Sequence, residues 1–298
     1  MSAGPSTSPA PRRLKVIHTN EYQYDQPIER SSHRVRLRPF HDRRQSVTNH
    51  RLDVSPPAEL FEYDDVFGNG TTQFEIGEPF SRLSIVAESI VEVADVDPLA
   101  FTKRAPRPSF PVHWMPWEVK MLAPYLAPVE LPETQLTAIR DFAMSFVEGN
   151  RHDLLEALFD MNLTLFREFK YVPQSTTLET TPFEVLTAKQ GVCQDFANLM
   201  ICMARMLNTP ARYVCGYVFT GNGGSQRHVP DASHAWVEIY LPQIGWKGFD
   251  PTNGVLPATN HVRVAVGRHY RDTAPTAGTL YSSAGERLAV AIEVTAVD

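Results

Sequence analysis

The sequence predicts an α+β protein: an all-β N-terminal half resembling a small sandwich, then a half in which helices give way to a run of strands. Three observations carry this. Up to about residue 93, apolar residues come in short alternating runs broken by turn residues. Residues 97–116 hold Pro98, Pro106, Pro108, Pro111 and Pro116, too many for a regular helix or a central strand. From residue 132 the apolar spacing becomes helical, and from residue 211 it returns to alternation.

In order, residues 1–13 are rich in Ser, Pro and Ala and lack an apolar core, so they are expected to form a disordered tail and not a signal peptide. Residues 14–96 are expected to form the β-rich domain. Val16 and His18 with Tyr22 and Tyr24 begin its first run; Val35 with Leu37 and Leu52 with Val54 mark the next two. Asn69-Gly70 is a strong hairpin signal before Phe74 and Ile76, and residues 84–93 form a further strand. Residues 97–131 read as a Pro-rich linker with a short helix, and 132–298 as a second, α+β domain. Helices are expected over 132–149, where Leu136, Ile139, Phe142, Ala143 and Phe146 share a face, over 153–169 and 182–189, and from Cys193 to just before Thr209-Pro210. Strands follow over 211–220, 233–241, 246–250 and 288–294.

Of the 298 residues, 43% are hydrophobic, enough for a sizeable core; 28 basic and 34 acidic residues give a net charge of -6, which argues against a nucleic-acid binder. The arginines at 30, 34, 36, 38, 43 and 44 read as the solvated face of a sheet, with an acidic substrate or partner as the alternative. No apolar run is long enough for a bilayer, so no membrane association is expected. Cys193, Cys202 and Cys215 are odd in number and contain no C-x-x-C pair, which disfavours a disulfide framework or structural zinc and fits reduced thiols in the cytoplasm. A site shared with His228 and His234 lacks a third and fourth ligand, so no metal and no cofactor are expected.

Cys193 falls in the first turn of the fourth helix, just after Gly191, which is expected to let the backbone turn sharply. Unpaired N–H groups and the positive end of the helix dipole favour a thiolate there and could hold an oxyanion. Cys202, nine residues on, lies on the opposite helix face and is read as core, as is Cys215 in an apolar strand. In Ser233-His234-Ala235-Trp236-Val237-Glu238-Ile239-Tyr240, His234 shares a face with Trp236, Glu238 and Tyr240. If Tyr240 pairs with Trp246, Trp236 faces Asp250 and His234 is the diagonal neighbour of Asp250. A carboxylate on one imidazole nitrogen frees the other to take the thiol proton, which makes Cys193, His234 and Asp250 the candidate catalytic residues. Taken singly, such a cysteine or histidine is more often structural.

Gly191-Val192-Cys193-Gln194-Asp195-Phe196, Ala211-Arg212-Tyr213-Val214-Cys215-Gly216-Tyr217, Ser233-His234-Ala235-Trp236-Val237-Glu238 and Gly245-Trp246-Lys247-Gly248-Phe249-Asp250-Pro251-Thr252 together resemble the transglutaminase-like superfamily of thiol enzymes. His18-Thr19-Asn20-Glu21-Tyr22, Arg36-Leu37-Arg38-Pro39 and Asp65-Val66-Phe67-Gly68-Asn69 resemble the β-rich region that precedes this domain in bacterial members, often described as cysteine proteases. The resemblance implies a papain-like core with the cysteine on a helix and the histidine and aspartate on a sheet. The roles carry over to Cys193, His234 and Asp250. Two positions depart from the family: Gln194 stands where animal cross-linking transglutaminases have tryptophan, and His269 where many members have an acidic residue.

The resemblance implies attack on a peptide or side-chain amide through a cysteinyl thioester. Water as acceptor makes a peptidase or amidase; a lysine or polyamine makes a protein-glutamine transglutaminase. Hydrolysis is favoured, because no amine subsite is legible. The rival class is a catalytically inactive module that binds peptides or proteins, with the β-rich domain as docking platform. Gly221-Asn222-Gly223-Gly224-Ser225 is expected to border and gate the cleft. Tyr171, Trp236, Tyr240 and Trp246 are expected to line the cleft, the alternative being that Tyr240 and Trp246 cover the outer sheet face, and Gln174 or Gln194 could supply a second oxyanion donor.

Overall fold

A computed structural model describes residues 10–103, 106–221, 233–282 and 284–297. The N-terminal part comprises β1 (Arg12–Ile28), β2 (Ser31–Val35), β3 (Gln45–Ser55), β4 (Phe61–Asp64), β5 (Gly70–Ile76) and β6 (Phe80–Val93). The helical part holds α1 (Pro116–Leu126), α2 (Glu133–Gly149), α3 (Leu154–Glu168) and α4 (Pro182–Ala188), with β7 (Lys170–Tyr171) and β8 (Gln190–Gly191) flanking α4. Then come α5 (Cys193–Met206), β9 (Ala211–Val218), β10 (His234–Leu241), β11 (Gly245–Phe249), β12 (His261–Gly267), α6 (Tyr270–Thr273), β13 (Thr276–Leu280) and β14 (Glu286–Ala296).

The N-terminal region is a sandwich. Its sheets run β14-β1-β6-β3 and β13-β2-β5-β4, and Ile28, Leu83 and Ile85 of one share a core with Val35, Phe74 and Ile76 of the other. Two boundaries differ from the expectation. The first strand already begins at Arg12, because Arg12 and Arg13 pair with Val93 and Glu92. The last two strands leave the 132–298 unit: β14 pairs with β1 from Leu14↔Ala296 to Tyr24↔Glu286, and β13 with β2. Alternation marks a strand but not the edge it joins. The hairpin expected at Asn69-Gly70 joins β4 to β5, with the positive φ (77°) at Gly68.

The second sheet system, β11-β10-β9-β12, lies between two layers. On one face, Ala235, Val237 and Ile239 of β10 pack with α2, α3 and α5. This core makes α5 buried along most of its length, including Cys202; Cys215 is buried in β9. On the other face, Leu14, Val16 and Ile292 of the sandwich meet Tyr217, Val262 and Val264.

The sandwich also seals the sheet's open edge at β12. The side-chain amide of Gln45 accepts from Arg263 N (2.9 Å) and donates to Arg263 O (2.8 Å). That of Asn69 does the same at Val266 (2.8 and 2.9 Å). Each amide thereby stands in for the peptide group of a missing neighbouring strand. The arginine cluster is not simply a solvated face. Arg36 is buried against Asp65 (2.9 Å), and Arg44 reaches Glu238 of β10 (2.9 Å). Glu238 is itself buried and also takes Arg212 (2.6 Å). Among the described residues no helix is long and apolar enough to cross a membrane.

Candidate active site

The helix carrying Cys193 is fixed at its first turn. Val192 has extended backbone and donates its N–H to Asp195 Oδ2 (2.7 Å), which also accepts from Thr176 Oγ1 (2.7 Å). Burial pushes the Asp195 carboxyl up, against these two bonds. Gly191 lies in β8 and is required for space rather than for a turn. A Cβ there would sit 2.8 Å from both Cβ and Oδ2 of Asp195. Val172 N donates to Gly191 O (3.0 Å), which ties the β7 side to the cysteine side. Cys193 is half-buried, and it lies near enough to the His234 imidazole to help hold a proton there.

His234 opens β10. The register is the one read from the sequence, Tyr240↔Trp246, which carries Asp250 to the end of β11 beside it. His234 Nε2 donates to Asp250 Oδ2 (2.9 Å), leaving Nδ1 as the nitrogen toward the thiol. Both side chains are wholly buried. The chain turns at Asp250, where Oδ1 accepts from the backbone N–H groups of Thr252 (3.0 Å) and Asn253 (3.2 Å). Oδ2 accepts further from Asn253 Nδ2 (2.8 Å) and His261 Nε2 (3.2 Å). Burial alone would push the Asp250 carboxyl up, but His234, these hydrogen bonds and His261 hold it well below the usual carboxylate range. Burial alone would lower the His234 imidazole; the charge and hydrogen bond of Asp250 and the contact with Cys193 outweigh it and raise His234 well above 6.5.

The three candidate residues are thus brought together. Sequence reasoning missed Asn253 and His261. Asn253 sits in an Asp-Pro-Thr-Asn turn, a signal that its side chain folds back on Asp250. Nothing around His261 marked it. Of the aromatic residues, Trp236 is wholly buried, with Phe40 and Phe67 of the sandwich packed on it. Tyr240 and Trp246 pack on each other and on Trp114 and Tyr125. Tyr171 meets Phe196 of α5 edge-on. Gln174 is exposed, at a φ of 61°. Apart from Gly221, the loop at 221–225 lies outside the described residues, as does His228. Among the described residues no group of three or more His, Cys, Asp or Glu is placed to hold a metal ion.

Residues 140–251 match the model of the transglutaminase-like superfamily, and residues 14–92 that of the bacterial transglutaminase-like N-terminal region. An uncharacterized protein of Mycobacterium tuberculosis is 35% identical over 286 residues, covering 91% of this chain and 88% of its own. The chain belongs to the transglutaminase-like superfamily. The fold agrees: a crystal structure from Cytophaga hutchinsonii described as a putative cysteine protease superposes with a TM-score of 0.72 at 21% identity, covering 97% of this chain and 91% of that one. The family's papain-like core, with the cysteine on a helix and the histidine and aspartate on a sheet, is therefore the architecture found, preceded by a β-rich region. A protein-glutamine gamma-glutamyltransferase of Pseudomonas aeruginosa is 33% identical over 93 residues, covering 28% of this chain and 13% of its own.

Proposed function

We propose that this chain is a thiol-dependent acyl-transfer enzyme that opens peptide or side-chain amides through a cysteinyl thioester and passes the acyl group to water, as a peptidase or amidase. The observation that supports this best is the line Cys193–His234–Asp250: a half-buried sulfur at a helix tip beside a buried imidazole whose Nε2 is held by a buried carboxylate. In this reading the Cys193 thiol gives its proton to His234 Nδ1, and the thiolate adds to the amide carbonyl carbon. The first N–H groups of α5, which have no carbonyl one turn earlier to donate to, face the developing oxyanion. His234 then protonates the departing amine as the C–N bond breaks. Water, losing a proton to His234, attacks the thioester and releases the acid while the sulfur leaves as thiolate. Asp250 stays ionised throughout, keeping His234 in the tautomer with Nδ1 toward sulfur.

Amine transfer is the second reading, favoured by the likeness to the Pseudomonas gamma-glutamyltransferase. One experiment separates the two. The chain is incubated with a mixed peptide library, with and without a primary amine, and the products are weighed by mass spectrometry. Hydrolysis gives cleavage or deamidation in both arms; a transferase gives amine adducts in one. Cys193→Ala is expected to abolish every product while leaving the thermal midpoint within a few degrees. A wild-type rate from that variant would end the proposal, as would iodoacetamide labelling of Cys193 no faster than a free thiol. We also propose that the protein is cytoplasmic, on its three free cysteines; cell fractionation finding it outside the cytoplasmic membrane would overturn that.

A further inference from the structure

We propose that His261 is a positioning residue of this site: by donating Nε2–H to the same Asp250 oxygen that holds His234, it sets how much of the carboxylate's charge reaches the histidine that moves the proton. The consequence for rate rests on the acyl-transfer reading; the electrostatic effect on His234 does not.

The geometry places three side-chain donors on one oxygen. Asp250 Oδ2 receives Asn253 Nδ2 at 2.8 Å, His234 Nε2 at 2.9 Å and His261 Nε2 at 3.2 Å. An ionised carboxylate accepts only, so both imidazoles must carry hydrogen on the nitrogen that meets it. His261 comes from β12, two strands away from β10 across β9, so the contact is not a by-product of local chain geometry. Trp236 holds the arrangement in place. Its ring stacks beside His234 (6.0 Å between centroids, 28°) and meets His261 edge to face (5.3 Å, 81°). The ring has room because residue 216 is glycine: a Cβ there would lie 2.6 Å from the Trp236 ring and 2.1 Å from Val262 O. A histidine kept only to fill space would not need its N–H directed at a buried carboxylate.

The other ionisable groups around His261 are those with which it lines a cavity between sheet and sandwich: Arg44, Asp97, Glu238, Lys247 and Arg263. Arg44 and Arg263 are engaged with Glu238 and Asp42, so Asp250 is the anion His261 serves. Each donor on Oδ2 takes a share of the negative charge. Removing one concentrates that charge on His234, which then binds its proton more tightly. A departing amine would receive that proton less readily.

The test is an NMR titration of the His234 ring in the full chain carrying Cys193→Ser, compared with the same chain also carrying His261→Leu, His261→Asn or His261→Gln. Glutamine places an amide N–H roughly where Nε2 stands; asparagine is too short to reach. The expected result is an upward shift of the His234 midpoint by roughly half a unit to one unit in His261→Leu and His261→Asn, with His261→Gln returning it most of the way. If the leucine variant does not fold, the asparagine–glutamine comparison decides. An unchanged midpoint in folded His261→Leu, or equal midpoints for Asn and Gln, overturns the proposal. Turnover is measured in parallel on variants that retain Cys193. A shifted midpoint with no turnover in any of them, wild type included, would leave His261 its role and remove the acyl-transfer reading instead.

Discussion

His18 and His234 are both buried imidazoles held by hydrogen bonds, yet they titrate in opposite directions. His18, in the sandwich, meets the Tyr217 hydroxyl (2.8 Å) and the Asn20 carbonyl (3.3 Å), both uncharged. Burial pushes it down to about 4, offset only in part by Asn20. His234 suffers the same penalty, but the anion beside it reverses the sign. The lesson is that a buried imidazole is neutral by default. A site needing a proton carrier must supply an anion and then keep that anion from being protonated itself. Five donors on Asp250 meet the second demand.

The sharpest way to break this contrast is Asp250→Asn, which exchanges the anion for an amide of the same shape and should turn His234 into a second His18. The expected outcome is a His234 ring that titrates below 6.5 and a kcat lower by on the order of 10^3–10^4-fold, with KM little changed. NMR titration and steady-state kinetics on the product assay check it; a rate within tenfold of wild type would show that the anion is not what matters.

Glu238 is the other buried carboxylate of the sheet. Burial would raise it, but Arg212, Arg263 and Arg44 outweigh that and lower it. Glu238→Gln takes the anion from Arg212 and Arg44, while Arg263 keeps Asp42, and should cost about 3–5 kcal/mol in urea unfolding.

A third effect belongs to His18. Its folded value lies below the unfolded 6.5, so the unfolded chain binds the extra proton first as the pH falls. Stability tied to His18 is therefore full above pH 6.5, declines between 6.5 and about 4, and is flat below, for a loss of up to about 3 kcal/mol. His33, also pushed down to about 4 by burial, acts in the same direction. The comparison is thus wild type against His18→Gln, whose difference should shrink over this window. His234 has the reverse sign: its contribution is complete below 6.5 and is lost as the pH rises through its raised folded value. The smallest effect is expected where charge meets solvent. Lys189 and Glu168 pair at 2.8 Å but are about half exposed, so Lys189→Ala should change stability by less than about 1 kcal/mol.

The three candidate catalytic residues were legible in the sequence because their signals are local. Gly191 and the apolar run after Cys193 announce a helix tip, and alternation over residues 234–240 puts His234 on one face. The register Tyr240↔Trp246, an assumption from sequence alone, is the one the strands adopt, with Leu241 paired to Gly245 across a three-residue turn. What escaped depends on contacts across long stretches of chain. His261 reaches Asp250 from a strand whose neighbours no local pattern fixes. Arg36 and Arg44 look like surface charges until the sandwich is docked against the sheet. β14 reads as a strand anywhere, and only the assembled fold gives it β1 as partner. The role of Gly191 was misread for a different, local reason: it makes room for the Asp195 side chain in the first turn of α5, not for a bend of its own.

The amides of Gln45 and Asn69 bear on how the enzyme half could live without its companion. An enzyme half produced alone would present the bare peptide groups of Arg263 and Val266 along β12, a template on which further copies could add strand to strand. In the whole chain the two amides of the sandwich occupy those groups, so that flank offers no such template.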